Sequence, residues 1–201
     1  MKFAFYILRH PLDGFWDMKH EKKASLKTGV FLILLALGAI IFNRQTRGFI
    51  FNNNYNVPLD ILFQIQILIL PILLFCISNW AITTLMDGKG TFYDIFMVVC
   101  YSLVPMILFN LASPLISNIL SLKDMAYLTI FDITGVVWTL LMIFLGIQVI
   151  HEYSIGKMLW TLVLTTASAA IIIFICLLFF SLLQELGSFV YTIYREIALR
   201  T

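Results

Sequence analysis

The sequence predicts an all-α integral membrane protein, built as a single bundle of five transmembrane helices with an interfacial amphipathic helix at its N-terminus. The chain has 201 residues, of which 61% are hydrophobic and 12% are charged, whereas soluble domains are about half apolar and a quarter charged. The charged residues are clustered between five long uncharged segments, and a spanning helix needs about 20 apolar residues. Helices are expected because backbone polar groups in hydrocarbon must pair within their own segment.

The same composition limits the possible functions. A mean hydropathy of +0.97 excludes a disordered chain, a secreted disulfide scaffold and an enzyme with a sizeable soluble core. The net charge of +2 is too small to indicate a nucleic-acid partner. The sequence contains no H-E-x-x-H, no G-x-S-x-G and no phosphate-binding glycine loop, and its three cysteines lack C-x-x-C spacing. We therefore expect no catalytic residue, no metal and no cofactor, and the protein is predicted not to be an enzyme.

The first 27 residues predict a cytoplasmic helix that lies on the membrane surface. Pro11 suits the first turn of a helix, and Leu12, Phe15 and Trp16 would then share one face, with lysines following close behind. Apolar and basic residues arranged in this way are typical of an interfacial helix.

The transmembrane domain is predicted to cover residues 28–183. Its five helices are expected at about residues 26–42, 59–82, 95–115, 129–150 and 159–183. The first resembles a signal peptide, but it follows a long region with six basic residues and no clean cleavage site, so we expect an uncleaved span. Pro71 and Pro105 fall inside the second and third helices, where each removes a backbone donor and predicts a kink.

Residues 184–201 are predicted to form an amphipathic extension. Apolar side chains recur there at helical spacing, at Leu182, Leu186, Phe189, Ile193 and Ile197. Two interpretations remain open: the last helix continues beyond the bilayer, or the chain bends near Gly187 and forms a second surface helix outside.

The distribution of basic residues predicts the orientation in the membrane. Eight lysines and arginines fall on the N-terminal side of the five spans and five on the other, and six of the eight precede the first span. Cytoplasmic loops carry the excess of positive charge. We therefore expect a multi-pass protein of the cell membrane with a cytoplasmic N-terminus and the C-terminus outside.

Polar residues inside the spans are candidates for a transport path. No charged residue falls at the centre of a span, and Asp94 and Asp132 lie near helix starts, where the helix dipole favours a carboxylate. Uncharged polar residues do occur inside the spans, and the candidate path consists of Gln64, Gln66, Asn79 and Asn110. Such side chains more commonly form hydrogen bonds between helices.

The most distinctive local sequence lies on the predicted cytoplasmic face. His10-Pro11 precedes a basic helix, G-K-G-T-F covers residues 88–92, Y-S-L-V-P covers residues 101–105, and H-E-Y-S covers residues 151–154. With the number of spans, these pieces resemble the Yip family of five-span membrane proteins, in its bacterial branch. The D-L-Y-G-P motif and the longer N-terminal region of the eukaryotic branch are missing, so that branch's binding of Rab-type GTPases is not carried over.

This resemblance implies an accessory or scaffold protein without catalytic activity. Its partners would be the lipid bilayer and another membrane protein, such as an ABC transporter component. The candidate partner-binding residues lie on the predicted cytoplasmic face: His10, Pro11, Phe15, Asp87, Lys89, Phe92, Asp94, His151 and Tyr153. Two alternatives remain open, a small transporter or channel whose path runs between kinked helices, and a membrane-shaping protein that acts through its terminal surface helices.

Overall fold

The computed structural model describes residues 2–52 and 58–200, with side chains described as far as Glu196. Within these residues the chain forms eight α-helices, two single turns of 3₁₀ helix and no strand. The helices are α1 (Lys2–Arg9), α2 (Pro11–His20), α3 (Leu26–Thr46), α4 (Ile61–Leu85), α5 (Phe92–Ser102), α6 (Val104–Ser117), α7 (Met125–His151) and α8 (Ile155–Arg200). Five helical segments are long and apolar enough to cross a membrane, which confirms the predicted all-α membrane bundle.

The bundle has two ends, which we name by the connections that lie there. The proximal end carries α1, α2 and the α4–α5 and α7–α8 connections. The distal end carries the α3–α4 and α6–α7 connections. Helices α4 and α7 run from the distal to the proximal end, and α3, α5 with α6, and α8 run the other way.

The third span consists of two helices, α5 and α6, which meet at Leu103. The Leu103 amide donates to the Cys100 carbonyl in a tighter turn, at 3.3 Å, and Pro105 lies in the first turn of α6, where its missing N–H costs least. The predicted irregularity at Pro105 is therefore a helix break. Pro71 lies inside α4, which continues through it.

The third span is also the centre of the bundle. It is the most buried of the five. Both of its helices pack against α3 and α7, and α5 packs against α4, which in turn packs against α8. Met97, Val98 and Tyr101 of α5 are almost completely buried. Helices α3, α4 and α7 thus surround α5 and α6 and hold the connections of each end close together.

The last helix, α8, is 46 residues long, which corresponds to about 69 Å at 1.5 Å per residue. This is more than twice the ~30 Å of a hydrocarbon core. The helix is unbroken at Gly187, and both interpretations of the C-terminal extension stay predictions. Its second half is exposed over all described side chains, and Ile197 lies outside them.

The N-terminal region is a hairpin of two short helices: α1 ends at Arg9, and α2 begins at Pro11. Helix α2 packs on α7, and Phe15 is completely buried against Gly146 of α7. Leu12 and Trp16 are half exposed. The three residues lie on one helix, as predicted, but they differ in burial, because Phe15 points into the bundle.

Candidate functional site

The α4–α5 connection forms a fixed turn at the proximal end. Asp87 adopts the left-handed conformation, with φ of 54°, and the Gly88 amide donates to the Thr83 carbonyl at 2.8 Å. Helix α5 then begins with a capping box, in which Thr91 and Asp94 bond to each other's backbone amides. Asp94 therefore stabilises the start of α5, as its position near a helix N-terminus predicted.

The imidazole ring of His151 lies directly beneath this turn. It is 1% exposed, and its Nδ1 accepts a hydrogen bond from the Gly90 amide at 3.2 Å. A Cβ atom at Gly90 would lie 2.9 Å from the ring, and one at Gly88 would overlap it. Glycine is therefore required at both positions by the close approach of the turn to His151.

Tyr153 links the α7–α8 connection to the end of α4. Its hydroxyl donates to the Met86 carbonyl at 3.0 Å, and its ring stacks on His151 with centroids 5.3 Å apart. Burial raises the pKa of the Tyr153 hydroxyl, so it remains a proton donor at neutral pH. The Lys157 ammonium lies 4.3 Å from the centroid of the same ring.

Glu152 connects three segments that are distant in sequence. It adopts a left-handed conformation, with φ of 55°, and its carboxylate accepts a hydrogen bond from Lys89 and lies 3.5 Å from Lys19 of α2. Lys19 also donates to the Ile150 carbonyl at 2.6 Å. The Lys89 ammonium holds the pKa of Glu152 below its usual value. These contacts join α2 and both connections into one ordered surface, which we call the proximal face.

The candidate partner-binding residues divide by exposure. Three are buried and support the proximal face from below: Phe15, His151 and Tyr153. The others are exposed or partly exposed: His10, Pro11, Asp87, Lys89, Phe92 and Asp94. His10 and Pro11 lie at the junction of α1 and α2. The remaining candidates except Phe15 lie in the two connections or in the helix turns that adjoin them: Asp87, Lys89, Phe92, Asp94, His151 and Tyr153. The ion pair between Lys19 and Glu152 was not predicted, because no local pattern indicates a contact across 133 residues of sequence.

The candidate polar path comes together only in part. Gln66 is exposed on the outside of α4. Asn79 is completely buried, and its Nδ2 donates to the Thr165 hydroxyl of α8 at 3.2 Å. Asn110 accepts a hydrogen bond from Asn43 at 2.9 Å. Of these four residues, only Gln64 and Asn110 line the same cavity.

This cavity, of about 790 Å³, lies in the distal half of the bundle and is lined by residues of α3, α4, α6 and α7. In its wall the Arg47 guanidinium binds the Asp132 carboxylate at 2.7 Å. Asp132 lies two turns inside α7, so the expectation that it serves the helix dipole does not describe it. Asn43 and Arg47 were not predicted as cavity residues. The sequence at the end of α3 does not show that these side chains contact Asn110 of α6 and Asp132 of α7.

The remaining polar chemistry is sparse. Across the described ranges, no group of three or more His, Cys, Asp or Glu side chains could hold a metal ion. The three cysteines are free thiols, of which Cys76 and Cys100 are buried and Cys176 is exposed.

Comparison with known proteins places the chain in a family. No curated protein and no solved structure matches it significantly. The family model of the Yip1 domain matches residues 5–183, a segment that contains most of the N-terminal hairpin, the proximal face and the distal cavity. The resemblance inferred from the sequence motifs is thereby confirmed at the level of the family. The chain is a multi-pass membrane protein and belongs to the Yip1 domain family.

Proposed function

We propose that this protein is a non-catalytic scaffold or accessory protein whose proximal face binds another membrane protein, such as an ABC transporter component. One observation supports this proposal most: Lys19, Lys89 and Glu152 fasten three remote segments into a single surface. A surface that is ordered before binding loses less conformational entropy when a partner docks.

The exposed part of the proximal face has the composition of a binding surface. Asp87 and Lys89 project from the turn, and Phe92 packs edge-to-face with Trp80, with ring centroids 6.1 Å apart. Both aromatic rings are partly exposed. Aromatic anchors beside charged groups carry much of the binding energy in protein interfaces.

We further propose that the proximal face is cytoplasmic, and that the protein belongs to the bacterial branch of its family. The excess of lysine and arginine on the N-terminal side supports this orientation. With five crossings, the C-terminal part of α8 then lies outside the cell.

Site-specific crosslinking tests the binding of a partner. A photoactivatable amino acid is placed at Phe92 of the proximal face and, as the matched control, at Leu122 of the distal end, which is also exposed. After purification of the full chain in mild detergent, we expect a stoichiometric crosslinked membrane protein from Phe92 and none from Leu122. Equal crosslinking from both positions, or no stoichiometric partner together with transport by the protein reconstituted alone, would contradict the proposal.

A second candidate function, a small transporter or channel, is supported by the distal cavity alone. Gln64 and Asn110 both line this cavity, but Asn79 is engaged with α8. Between the cavity and the proximal face, Met97, Val98 and other buried apolar residues fill the bundle. Flux of ions or small solutes through liposomes that contain only this protein would support transport, and impermeable liposomes would favour the scaffold.

A further inference from the structure

The distal cavity has the size and the wall of a ligand site. Its volume of about 790 Å³ lies within the range of about 300–1,000 Å³ that is usual for binding pockets. Four charged residues line it, Arg44, Arg47, Asp60 and Asp132, so positive and negative charges are balanced. A ligand that carries only one charge would meet two residues of its own sign.

Arg47 indicates where an acceptor of the ligand belongs. Its Nη2 binds Asp132 at 2.7 Å, but its Nε is buried and has no hydrogen-bond partner among the described residues. An unsatisfied buried donor costs about 1–3 kcal/mol. The same guanidinium lines the cavity, so an anionic oxygen of a ligand there would complement its positive charge.

Amide side chains extend the polar wall toward the middle of the bundle. Asn43 and Gln64 are more than nine-tenths buried, and Asn110, which pairs with Asn43, lies halfway along α6. Acyl chains cannot satisfy these groups. The inner part of the cavity therefore suits a polar or charged group.

The edges of the cavity are apolar and face the bilayer. Phe63 and Ile67 of α4 and Ile133 of α7 line it, and each of these side chains is about half exposed on the surface of the bundle. In a membrane, their exposed surfaces contact lipid tails. The ligand would thus have a polar head inside the cavity and apolar chains that leave past this rim.

We infer that the distal cavity binds a zwitterionic phospholipid with a primary ammonium group, of the phosphatidylethanolamine type. The phosphate oxygens would bind at Arg44 and Arg47, and the ammonium would bind at Asp60 and Asp132. A primary ammonium can donate three hydrogen bonds to these carboxylates and to the amide oxygens, whereas a quaternary choline has no N–H to donate. This inference does not depend on the proposed function, because the cavity lies at the opposite end from the proximal face.

Lipid titrations of the full-length protein in detergent test the inference. Binding is followed by native mass spectrometry with phosphatidylethanolamine, phosphatidylcholine and phosphatidylglycerol of identical acyl chains, and with water-soluble glycerophosphoethanolamine. We expect phosphatidylethanolamine to bind at least about tenfold more tightly than the other three, which corresponds to about 1.4 kcal/mol. Equal binding of the three lipids, or preference for phosphatidylglycerol, would overturn the inference. Equal binding of glycerophosphoethanolamine would overturn the assignment to a bilayer lipid.

Two neighbouring glutamines of α4 give a matched pair of variants. Gln64→Leu removes an amide from the cavity wall, and Gln66→Leu makes the same change on the exposed surface. We expect Gln64→Leu to weaken phosphatidylethanolamine binding about tenfold and Gln66→Leu to leave it unchanged. The double variant Arg47→Gln with Asp132→Asn, which preserves net charge, should abolish the preference for this lipid. If neither cavity variant alters binding, the lipid binds elsewhere and the inference fails.

Discussion

Replacement of Phe15 by alanine should release the N-terminal hairpin from the bundle. Phe15 is completely buried, and its ring fills the space above Gly146 of α7. Phe-to-Ala changes at buried sites cost about 3–5 kcal/mol. We expect a value near 3 kcal/mol, because the Phe15 ring of the wild type can enter the lipid interface when the hairpin opens, which reduces what its burial in the bundle contributes. This corresponds to a roughly 100-fold increase in the equilibrium constant for hairpin opening.

Hydrogen exchange of the α2 amides measures this opening, because local release of the hairpin exposes them to solvent. Trp16→Ala is the matched control, since Trp16 lies next in sequence but is half exposed. We expect the Phe15→Ala protein to exchange its α2 amides about 100-fold faster than wild type, with the amides of α5 unaffected. Exchange at the wild-type rate, or an equal effect of Trp16→Ala, would refute the conclusion that Phe15 anchors the hairpin.

Three further predictions concern packing and the proximal face. Gly146→Ala should lower the free energy of unfolding by about 1–3 kcal/mol through overpacking. The control Gly38→Ala should not lower it, because a Cβ atom at Gly38 meets no atom within 4 Å. Thermal melts that show equal losses of stability for the two variants would contradict this prediction. Tyr153→Phe should cost about 1 kcal/mol, one buried hydrogen bond, and an unchanged melting temperature would contradict that bond. Lys89 lowers the pKa of Glu152, so the Glu152 carboxylate stabilises the fold above pH 4.5, and this stabilisation is lost as the pH falls below that value. The melting temperatures of wild type and Glu152→Gln should therefore converge as the pH is lowered. A difference in melting temperature that stays constant with pH would contradict the ion pair.

The spans could be predicted from sequence because lipid imposes a constraint that local composition reveals. Uncharged apolar segments of sufficient length must form helices, and the five expected spans correspond to the five observed. Their ends were less predictable, since α8 continues to Arg200. The polar residues that follow the apolar segment of α8 do not end the helix, because its backbone hydrogen bonds continue. A single glycine, Gly187, does not break the helix either.

The composition of a helix face does not distinguish burial in protein from contact with lipid. Phe15 and Trp16 both belong to an apolar face in the sequence, but only Phe15 enters the bundle, because Gly146 leaves room for its ring. That contact joins residues 131 positions apart, and no local pattern indicates it. For the same reason the G-K-G turn was recognised in the sequence, while its support by His151 became visible only in the fold.

The distal cavity illustrates the same limit. From the sequence alone, Asp132 lies near the start of a span, and the favourable interaction of a carboxylate with the helix dipole is enough to explain it there. Its partner Arg47 lies 85 residues earlier, at the end of α3. Gln64 and Asn110 were recognised as polar residues in apolar segments, but their common space depends on how α3, α4 and α7 are arranged around α6.

Five crossings of the membrane place the proximal face and the C-terminal part of α8 on opposite sides of the bilayer. Single cysteines at Lys23 and Ser188, in a chain whose three native cysteines are replaced by serine, can be labelled with a membrane-impermeant maleimide in intact cells and in inverted vesicles. We predict that the cysteine at position 188 reacts in intact cells and the cysteine at position 23 only in inverted vesicles. Reaction of both cysteines from the same side would contradict an odd number of crossings and the arrangement built on it.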